Sequence, residues 1–190
     1  MAITPWKITD SRYLIRDPWM VLRADCCVTA SGVTVDPYYV QEPHDWVQIV
    51  AFDRRDRILI TRQYRHGAAV ISAEFPCGVV EPGEAPAEAA RRELLEETGC
   101  TSQDLWPLSS LSPNPARYSN KIHAFIAIDT QQVQAQNLDK TEEIEFGFLT
   151  LPEVLSLIDQ GAFPQALHLA NLFLALRRLG LLSLTAAPPA

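Results

Sequence analysis

The chain has 190 residues, of which 47% are hydrophobic and 21% are charged, so it is long enough for one packed domain with a small appendage. This composition excludes a disordered chain, a collagen-like fibre and a small disulfide scaffold. The 23 acidic residues outnumber the 16 basic ones and give a formal net charge of −7, which disfavours a general nucleic-acid binder. An acidic chain also repels phosphate-bearing substrates unless it concentrates a cation, so the placement of its acidic residues becomes the main question.

The sequence has features of a cytoplasmic protein. Residues 1–6 lack the basic and apolar regions of a secretion signal, and the most apolar stretch, residues 170–184, is interrupted by Arg177 and Arg178. The cysteines form no C-x-x-C pair, so we expect reduced thiols rather than disulfides or a zinc site. The four histidines are scattered singly, and each is expected to be a surface or core residue rather than a ligand.

Hydrophobic patterning predicts that the first part of the chain consists mostly of strands. Apolar runs and turn residues place them at residues 19–26, 33–40, 46–52, 58–62 and 70–74. A charged run, residues 53–57, joins the third and fourth of these strands and is typical of a hairpin connection. We take residues 1–44 as an N-terminal β-rich segment that precedes the main domain.

The second part of the chain combines helices with further strands. A helix is predicted over residues 86–98, because Pro86 suits the first turn and Gly99 suits the residue after the last turn. Strands near 106–111, 121–128 and 144–149 and helices near 152–159 and 164–181 are predicted to follow. This order favours an α+β fold with a mixed sheet. The main domain is expected to span residues 45–184, with a short mobile tail at 185–190.

Three glutamates lie on one face of the predicted helix. At 100° per residue, Glu93, Glu96 and Glu97 fall within an arc of about 100°. The adjacent arc carries the side chains expected to pack inward, Ala87, Ala90 and Leu94. Clustered carboxylates without sulfur or imidazole suit Mg²⁺ or Mn²⁺ rather than zinc, and such a metal can activate a water molecule. A solvated acidic face is the alternative for the helix taken by itself.

The spacing of the flanking residues distinguishes these alternatives. Gly78 is followed after five residues by Glu84, and after seven more by the run R-E-L-L-E-E-T-G-C at residues 92–100. This segment resembles, at every defining position, the signature of the Nudix hydrolases, G-x5-E-x7-R-E-U-x-E-E-x-G-U with U apolar. The resemblance implies an α/β/α sandwich with a mixed sheet, in which the helix carries metal-binding glutamates.

The resemblance also implies a role for each residue of the signature. Glu93 and Glu97 correspond to the main Mg²⁺ ligands, with Mn²⁺ as an alternative metal, and Glu96 to a further ligand or an acid beside them. The backbone carbonyl of Cys77 corresponds to a metal-coordinating carbonyl in related members. The remaining positions of the signature are expected to shape the site: Gly78, Glu84, Arg92 and Gly99.

Segments outside the signature resemble the branch of ADP-ribose and nucleotide-sugar pyrophosphatases. The first comprises R-Q-Y-R at residues 62–65 and E-F-P-C-G at 74–78. The resemblance implies that Arg65 binds the diphosphate of the substrate, to which a guanidinium offers paired donors, and that Glu74 belongs to the same site. An ion pair at a strand end is the alternative for Arg65.

Two further positions can be compared with the ADP-ribose and nucleotide-sugar branch of the family. Pro115 lies sixteen residues beyond Gly99, as in the ADP-ribose branch, but Ala116 stands where a glycine usually follows, which leaves room for other nucleotide sugars. A glutamate that serves this branch as catalytic base or extra metal ligand maps to Glu142, with Glu143 as the alternative. The alternative for both glutamates is that they are simply exposed acidic residues before a strand, with no role in catalysis.

In this branch a strand-rich N-terminal segment, here residues 6–44, often supports a homodimer, and its aromatic residues contact the nucleobase. Trp6 and Trp19 are the candidates for that contact, with a place in the core as the alternative for each. The function expected from the resemblance is Mg²⁺-dependent hydrolysis of a nucleoside diphosphate sugar of the ADP-ribose type, yielding a nucleoside monophosphate and a sugar phosphate. A house-cleaning nucleoside triphosphate or dinucleoside polyphosphate hydrolase and a non-catalytic nucleotide sensor are the alternatives. The expected partner is a small nucleotide, with no nucleic acid and no membrane.

Overall fold

The computed structural model describes residues 3–182, which divide into two compact units. The first contains the residues up to 45 together with 111–121, and the second contains 46–110 together with the residues from 122 onward. Residues 183–190, which include the predicted tail, lie outside the described part of the chain. No helix within residues 3–182 is long and apolar enough to cross a membrane.

Three antiparallel strands form the sheet of the first unit. They are β1 (Lys7–Arg16), β2 (Val21–Val28) and β3 (Thr34–Gln41), paired in that order. β2 and β3 agree with the two strands predicted here, whereas the sequence pattern does not mark β1. Two register shifts, after Ile8 and after Tyr13, interrupt its pairing with β2 and break the alternation that marks a strand.

The segment 111–121, which contains Pro115, lies against β3. The hydroxyl of Tyr38 donates to the carbonyl of Ala116 at 2.5 Å. The backbone N–H of Gln41 donates to the carbonyl of Arg117 at 2.8 Å. This segment is therefore held by the first unit rather than by the second.

Nine further strands and three helices follow along the described chain. The strands are β4 (Trp46–Ala51), β5 (Ile58–Arg65), β6 (Val70–Glu74), β7 (Cys77–Val79), β8 (Cys100–Thr101), β9 (Asp104–Leu111), β10 (Ile122–Ile128), β11 (Gln131–Gln132) and β12 (Glu145–Leu149). The helices are α1 (Pro86–Thr98), α2 (Leu151–Asp159) and α3 (Ala166–Arg178). The sheets have the orders β7-β4-β10-β9, β12-β5-β6 and β11-β8. The first of them is mixed, because β4 is parallel to β10 and antiparallel to β7.

The hairpin predicted between the strands at 46–52 and 58–62 is wrong. β4 and β5 belong to different sheets, and a single antiparallel bridge links Phe52 to Ile58 at the point where they diverge. The charged connection does turn the chain, since the carboxylate of Asp53 accepts the backbone N–H of Arg57 at 2.9 Å. The strand β5 instead pairs with β6 and β12 in a second sheet.

Both faces of β4 are buried, in two separate core clusters. Ile49 belongs to a cluster that includes Leu94 of α1, whereas Val50 belongs to one that includes Val154 of α2 and Leu172 of α3. Helices therefore cover both faces of the sheet, which confirms the predicted α+β fold and its α/β/α sandwich. Burial on both faces also explains why β4 is a nearly continuous apolar run rather than an alternating one.

The helix α1 begins and ends where the sequence predicts. The carboxylate of Glu88 accepts the backbone N–H of Ala85 at 3.4 Å, and Pro86 occupies the first turn. Gly99 has a φ of 67°, and its N–H donates to the carbonyl of Leu95 at 2.8 Å. This left-handed residue ends the helix, as a glycine readily does.

The buried face of α1 differs from the prediction. Ala87 is exposed, and Ala89 is buried in its place beside Ala90 and Leu94. The buried face is rotated so that it also includes Glu97, the last of the three clustered glutamates. The acidic arc and the core-facing arc therefore overlap at one residue.

Candidate active site

The three glutamates of α1 lie at different depths. The residue Glu97 is only 3% exposed, and one of its carboxylate oxygens accepts the backbone N–H of Cys77 at 3.0 Å. The side chain of Glu93 is largely buried, and that of Glu96 is the most exposed of the three. The carboxylates therefore extend from the interior to the surface, in contact with the strand β7.

This cluster carries more negative charge than the protein compensates. Burial raises the pKa of the Glu97 carboxyl well above its usual range; the N–H of Cys77 opposes this, and the charges of Glu93 and Glu142 add to it. Burial likewise raises the pKa of Glu93, although Arg92 partly offsets the effect. A bound cation would remove this repulsion, and oxygen donors without sulfur suit a hard divalent ion. The residues present therefore fit a divalent metal site.

Arg92 uses all five of its N–H donors, four on the acidic residues around it and one on a backbone carbonyl. Its Nε and Nη2 atoms both donate to the carboxylate of Glu84 at 2.9 Å. Its Nη1 atom donates to Glu93 at 2.8 Å and to Glu96 at 3.1 Å, and Nη2 also reaches the carbonyl of Val79 at 2.9 Å. This guanidinium therefore fixes the loop before α1 and two of the clustered glutamates in one arrangement, as paired donors allow.

Gly78 allows the carboxylate of Glu93 to lie directly against β7. A Cβ atom at position 78 would stand 2.0 Å from Glu93 Cδ, far closer than van der Waals contact. A glycine is required here for steric reasons, because any side chain at position 78 would displace the carboxylate of Glu93. This explains the glycine of the signature by contact rather than by backbone conformation.

The loop after β11 is hydrogen-bonded to the C-terminal end of α1. The side-chain amide of Gln136 donates to the carbonyls of Glu97 at 2.5 Å and of Ile144 at 3.0 Å. The backbone N–H of Asn137 donates to the carbonyl of Glu96 at 2.9 Å. These bonds satisfy two carbonyls at the helix end. No local sequence pattern marks Gln136 as part of this site.

The same loop brings Glu142 into electrostatic contact with the cluster. The charge of Glu142 raises the pKa of both Glu93 and Glu97. The neighbouring Glu143 is not among the main causes of either shift. Glu142 is exposed, and its carboxylate accepts the N–H of Asp139 at 3.1 Å. Of the two loop candidates, Glu142 is the one whose charge reaches the cluster.

Arg65 and Glu74 form an ion pair across the neighbouring strands β5 and β6. The Nε atom of Arg65 donates to one carboxylate oxygen of Glu74 at 2.8 Å, and Nη2 donates to the other at 2.5 Å. Glu74 is buried and the side chain of Arg65 is 44% exposed. Burial by itself would raise the pKa of Glu74, but the hydrogen bonds and charge of Arg65 hold it below the usual value. The pair therefore joins a buried carboxylate to a guanidinium that is partly open to solvent.

The guanidinium of Arg65 also interacts electrostatically with the carboxylate cluster of α1. Its own pKa is raised, first by its hydrogen bonds to Glu74 and further by the charges of Glu74 and Glu97, although burial partly offsets these effects. Within residues 3–182, no hydrogen bond uses its Nη1 atom. Arg65 therefore presents unused donors near Glu97.

Glu74, Cys77 and His168 form a second buried group, whose side-chain ligand atoms lie within 4.8 Å of one another. The ring nitrogen Nδ1 of His168 accepts the backbone N–H of Phe75 at 3.1 Å, so the other nitrogen, Nε2, carries the proton of the neutral ring. A protonated Nε2 offers no lone pair, and Glu74 is already paired with Arg65. This group therefore does not fit a metal.

Two family models match the chain. The model described as the Nudix domain matches residues 42–172, and the one described as the nucleoside diphosphate sugar hydrolase N-terminal domain matches residues 6–41. The chain belongs to the Nudix hydrolase family. The resemblance inferred from the signature is thereby confirmed, and the helix that carries the Nudix signature is α1.

Similar proteins of this family include two bacterial enzymes. The chain is 31% identical over 119 residues to the ADP compounds hydrolase NudE of Escherichia coli (strain K12), which covers 63% of each chain. It is 30% identical over 114 residues to the ADP-ribose pyrophosphatase of Bacillus subtilis (strain 168), covering 60% of this chain and 62% of the other. The matches span just under two thirds of the length of these relatives.

A crystal structure of an ADP compounds hydrolase resembles this Nudix protein over most of its length. It has a TM-score of 0.84 and 26% sequence identity, and the match covers 95% of this chain and 97% of the other. The two tryptophans predicted to contact a nucleobase fall within the matched N-terminal segment. Trp19 is 95% exposed, and Trp6 is exposed with an edge contact to Tyr38 at 5.8 Å between ring centroids. Neither is a core residue, and their contact with a base stays a prediction.

Proposed function

We propose that this Nudix protein is a Mg²⁺-dependent pyrophosphatase that hydrolyses the diphosphate of a nucleoside diphosphate sugar of the ADP-ribose type. The products would be a nucleoside monophosphate and a sugar phosphate. The observation that carries the proposal is the uncompensated carboxylate cluster of α1 with the unused donors of Arg65 beside it. The description of the matched N-terminal model and the names of the two bacterial relatives support the choice of substrate.

The carboxylates of α1 would hold the metal. Glu93 and Glu97 would be its main ligands, with Glu96 at the solvent side and the backbone carbonyl of Cys77 from β7. When bound, Mg²⁺ neutralises phosphate oxygens and lowers the pKa of a coordinated water, and Mn²⁺ could replace it. The arrangement of Arg92 supports this proposal, because its hydrogen bonds orient Glu93 and Glu96 without occupying Glu97.

The remaining residues would bind and orient the substrate. Arg65 would donate through its unused Nη1 atom to the diphosphate, while Glu74 holds the other edge of the guanidinium. Such fixed donors stabilise the charge that develops on phosphate oxygens during hydrolysis. Glu142 would accept a proton from the attacking water or add a metal ligand. The effect of its charge on the pKa of Glu93 and Glu97 supports Glu142 rather than Glu143 for this role.

The N-terminal segment, taken here as residues 1–44 before a catalytic domain at 45–184, would serve binding and assembly. The nucleobase would stack on Trp19 or Trp6, both exposed. We also propose a homodimer, supported by β1, in which every residue is exposed and apolar side chains recur. The protein would act in the cytoplasm on a small nucleotide, and its net charge of −7 supports the expectation that it binds neither nucleic acid nor a membrane surface.

A substrate screen with Mg²⁺ tests the proposal. ADP-ribose, other nucleotide sugars, nucleoside triphosphates and dinucleoside polyphosphates are incubated with the protein, and the products are separated by chromatography. We expect turnover of a nucleotide sugar to a nucleoside monophosphate, abolished by a chelator and restored by excess Mg²⁺. Turnover of triphosphates or dinucleoside polyphosphates alone would favour the house-cleaning alternative. Binding of nucleotides without any turnover would favour a nucleotide sensor.

A further inference from the structure

A chain of buried polar side chains crosses the second unit from β9 to α3. The hydroxyl of Ser109 donates to Asn171 Oδ1 at 2.8 Å, and Asn171 Nδ2 donates to the carbonyl oxygen of the Gln48 side chain. The amide of Gln48 then donates to Nδ1 of His168 at 2.5 Å. Gln48, Asn171 and His168 are fully buried. Burying polar groups is costly unless they are hydrogen-bonded, and the members of this network are partners for one another.

The hydrogen bonds determine which nitrogen of His168 carries the proton. Nδ1 faces two donors, the side-chain amide of Gln48 and the backbone N–H of Phe75, and the second of these can only donate. Burial lowers the pKa of His168 to about 4, so the ring is neutral near pH 7. A neutral ring whose Nδ1 accepts must carry its proton on Nε2.

The Nε2–H group of His168 has no hydrogen-bond partner within the described residues, although it is fully buried. The nearest carboxylate oxygen, Oε2 of Glu74, lies 3.7 Å away, which is beyond hydrogen-bond distance. That oxygen is held by Nη2 of Arg65 at 2.5 Å. A buried donor without a partner is unfavourable. The position of this N–H is explained if an acceptor comes within hydrogen-bond distance when the substrate is bound.

We propose that His168 positions Arg65, by donating its Nε2–H to Glu74 when the guanidinium binds the diphosphate. This inference rests on the role given to Arg65 in the proposed function. When a phosphate oxygen binds Nη1 and draws the guanidinium towards the diphosphate, the hydrogen bond from Nη2 to Glu74 Oε2 lengthens and that oxygen can accept another hydrogen bond. A rotation of the carboxylate that moves this oxygen by about 0.8 Å from its present 3.7 Å brings it within reach of the Nε2–H, while the other oxygen keeps its bond to Arg65 Nε.

Two substitutions of His168 separate this role from a structural one. In His168→Asn the amide oxygen reproduces the Nδ1 acceptor, which serves the N–H of Phe75, but the donor towards Glu74 is lost. In His168→Gln the amide nitrogen reproduces the Nε2 donor instead. We expect His168→Asn to raise KM for ADP-ribose about tenfold with a smaller change in kcat, as for one lost hydrogen bond to a charged group. The Gln variant should stay within about twofold of the wild type.

A double-mutant cycle with Arg65→Ala ties the effect to Arg65. If His168 acts through the guanidinium, His168→Asn should change KM by less than about twofold in the Arg65→Ala background. A tenfold increase in both backgrounds would overturn the proposal. So would equal losses in His168→Asn and His168→Gln, or a larger loss in the Gln variant, because these identify the Phe75 contact as the important one.

A spectroscopic measurement keeps the proposal testable if the variants fail to fold. Long-range ¹H–¹⁵N correlation spectra of the wild-type protein distinguish the two neutral tautomers of His168. We expect the Nε2–H form, with a downfield shift of that proton when the α,β-methylene analogue of ADP-ribose binds. A proton on Nδ1, or an unchanged resonance with the analogue bound, would overturn the inference. Absence of wild-type turnover on every nucleotide sugar would instead overturn the proposed function, so the two failures are distinguishable.

Discussion

Gly78 and Glu93 are packed so closely that the position of the carboxylate depends on the absence of a side chain from the strand. A Cβ atom at Gly78 would stand 2.0 Å from Glu93 Cδ and 2.1 Å from one of its carboxylate oxygens. The obstructing atoms belong to the far end of a flexible side chain, so the protein can accommodate a methyl group by moving that carboxylate. The cost falls on the proposed metal site rather than on the core.

Gly78→Ala is therefore expected to weaken metal use while preserving the fold. The displaced Glu93 carboxylate should raise the Mg²⁺ concentration needed for half-maximal activity by about tenfold, corresponding to about 1.4 kcal/mol. The Tm without metal should change little. Titration of activity with Mg²⁺ and a thermal melt in a chelator measure both effects.

Two other glycines provide controls for this variant. A Cβ atom at Gly147 would meet no atom of the described part of the chain within 4 Å, so Gly147→Ala should leave both measurements unchanged. Gly99→Ala should lower the Tm, because its φ is 67° and its Cβ would lie 2.1 Å from the backbone oxygen of Gln134. An unchanged Mg²⁺ requirement in Gly78→Ala would contradict the role given to Glu93.

Glu97→Gln is expected to abolish nearly all Mg²⁺-dependent turnover while the fold survives. The amide oxygen can still accept the N–H of Cys77, and the substitution removes a buried negative charge that repels Glu93. In a chelator the variant should therefore melt at a higher temperature than the wild type. Mg²⁺ should stabilise the wild type and have a much smaller effect on the variant. Full activity in Glu97→Gln would refute the assignment of this metal ligand.

Arg92→Lys is expected to destabilise the protein, because one ammonium cannot replace five donors in a planar arrangement. Loss of the paired bonds to Glu84 and of the bond to Val79 should lower the free energy of unfolding by roughly 1–3 kcal/mol. Urea unfolding measures this change. Arg91→Lys is the matched control, since this neighbour on α1 makes a single hydrogen bond within residues 3–182, to the carbonyl of Ser102 at 3.1 Å. Equal effects of the two substitutions would argue against the central place of Arg92.

The neutral, buried His168 predicts a specific dependence of stability on pH. Its pKa falls from the ordinary 6.5 to about 4 on folding, so between these values the unfolded chain binds a proton that the folded protein excludes. The contribution to stability is complete above pH 6.5 and is lost as the pH falls through about 4. The slope approaches about 1.4 kcal/mol per pH unit, for a total of about 3 kcal/mol.

Comparison with His168→Asn isolates this contribution. The neighbouring charged groups, Glu74 and Arg65, and the thiol of Cys77 are retained in both proteins, so their titration largely cancels in the difference. We expect the free energy of unfolding, measured in urea at pH 7.5, 6 and 5, to fall more steeply for the wild type. Parallel profiles would mean that His168 takes up a proton inside the folded protein.

Local patterns were sufficient for much of the fold. The bounds of α1 follow from Pro86 and Gly99, which act through backbone conformation within one turn of the helix. The spacing of the glutamates likewise identified the family, because the residues that meet on one helix face are close in the chain. Where pairing is irregular the pattern failed, as in β1, whose two register shifts remove the alternation.

Contacts between distant segments were beyond the sequence. No local signal reveals that β4 and β5 join different sheets, or that Gln136 closes the end of α1. His168 appeared to be an isolated histidine, and its hydrogen bonds to Gln48 and Phe75 exist only because α3 covers the face of the sheet.

The sequence by itself determined that this acidic chain concentrates four of its acids, with fixed spacing, in a cation-binding signature at residues 78–100. Only the tertiary structure decided how the charge is distributed there. It buries Glu97 against β7, leaves Glu96 towards solvent and brings the charge of Glu142 from a loop about forty-five residues away. The physical reason is that the energy of a carboxylate depends on desolvation and on neighbouring charges, and both are set by packing between segments that the sequence places far apart.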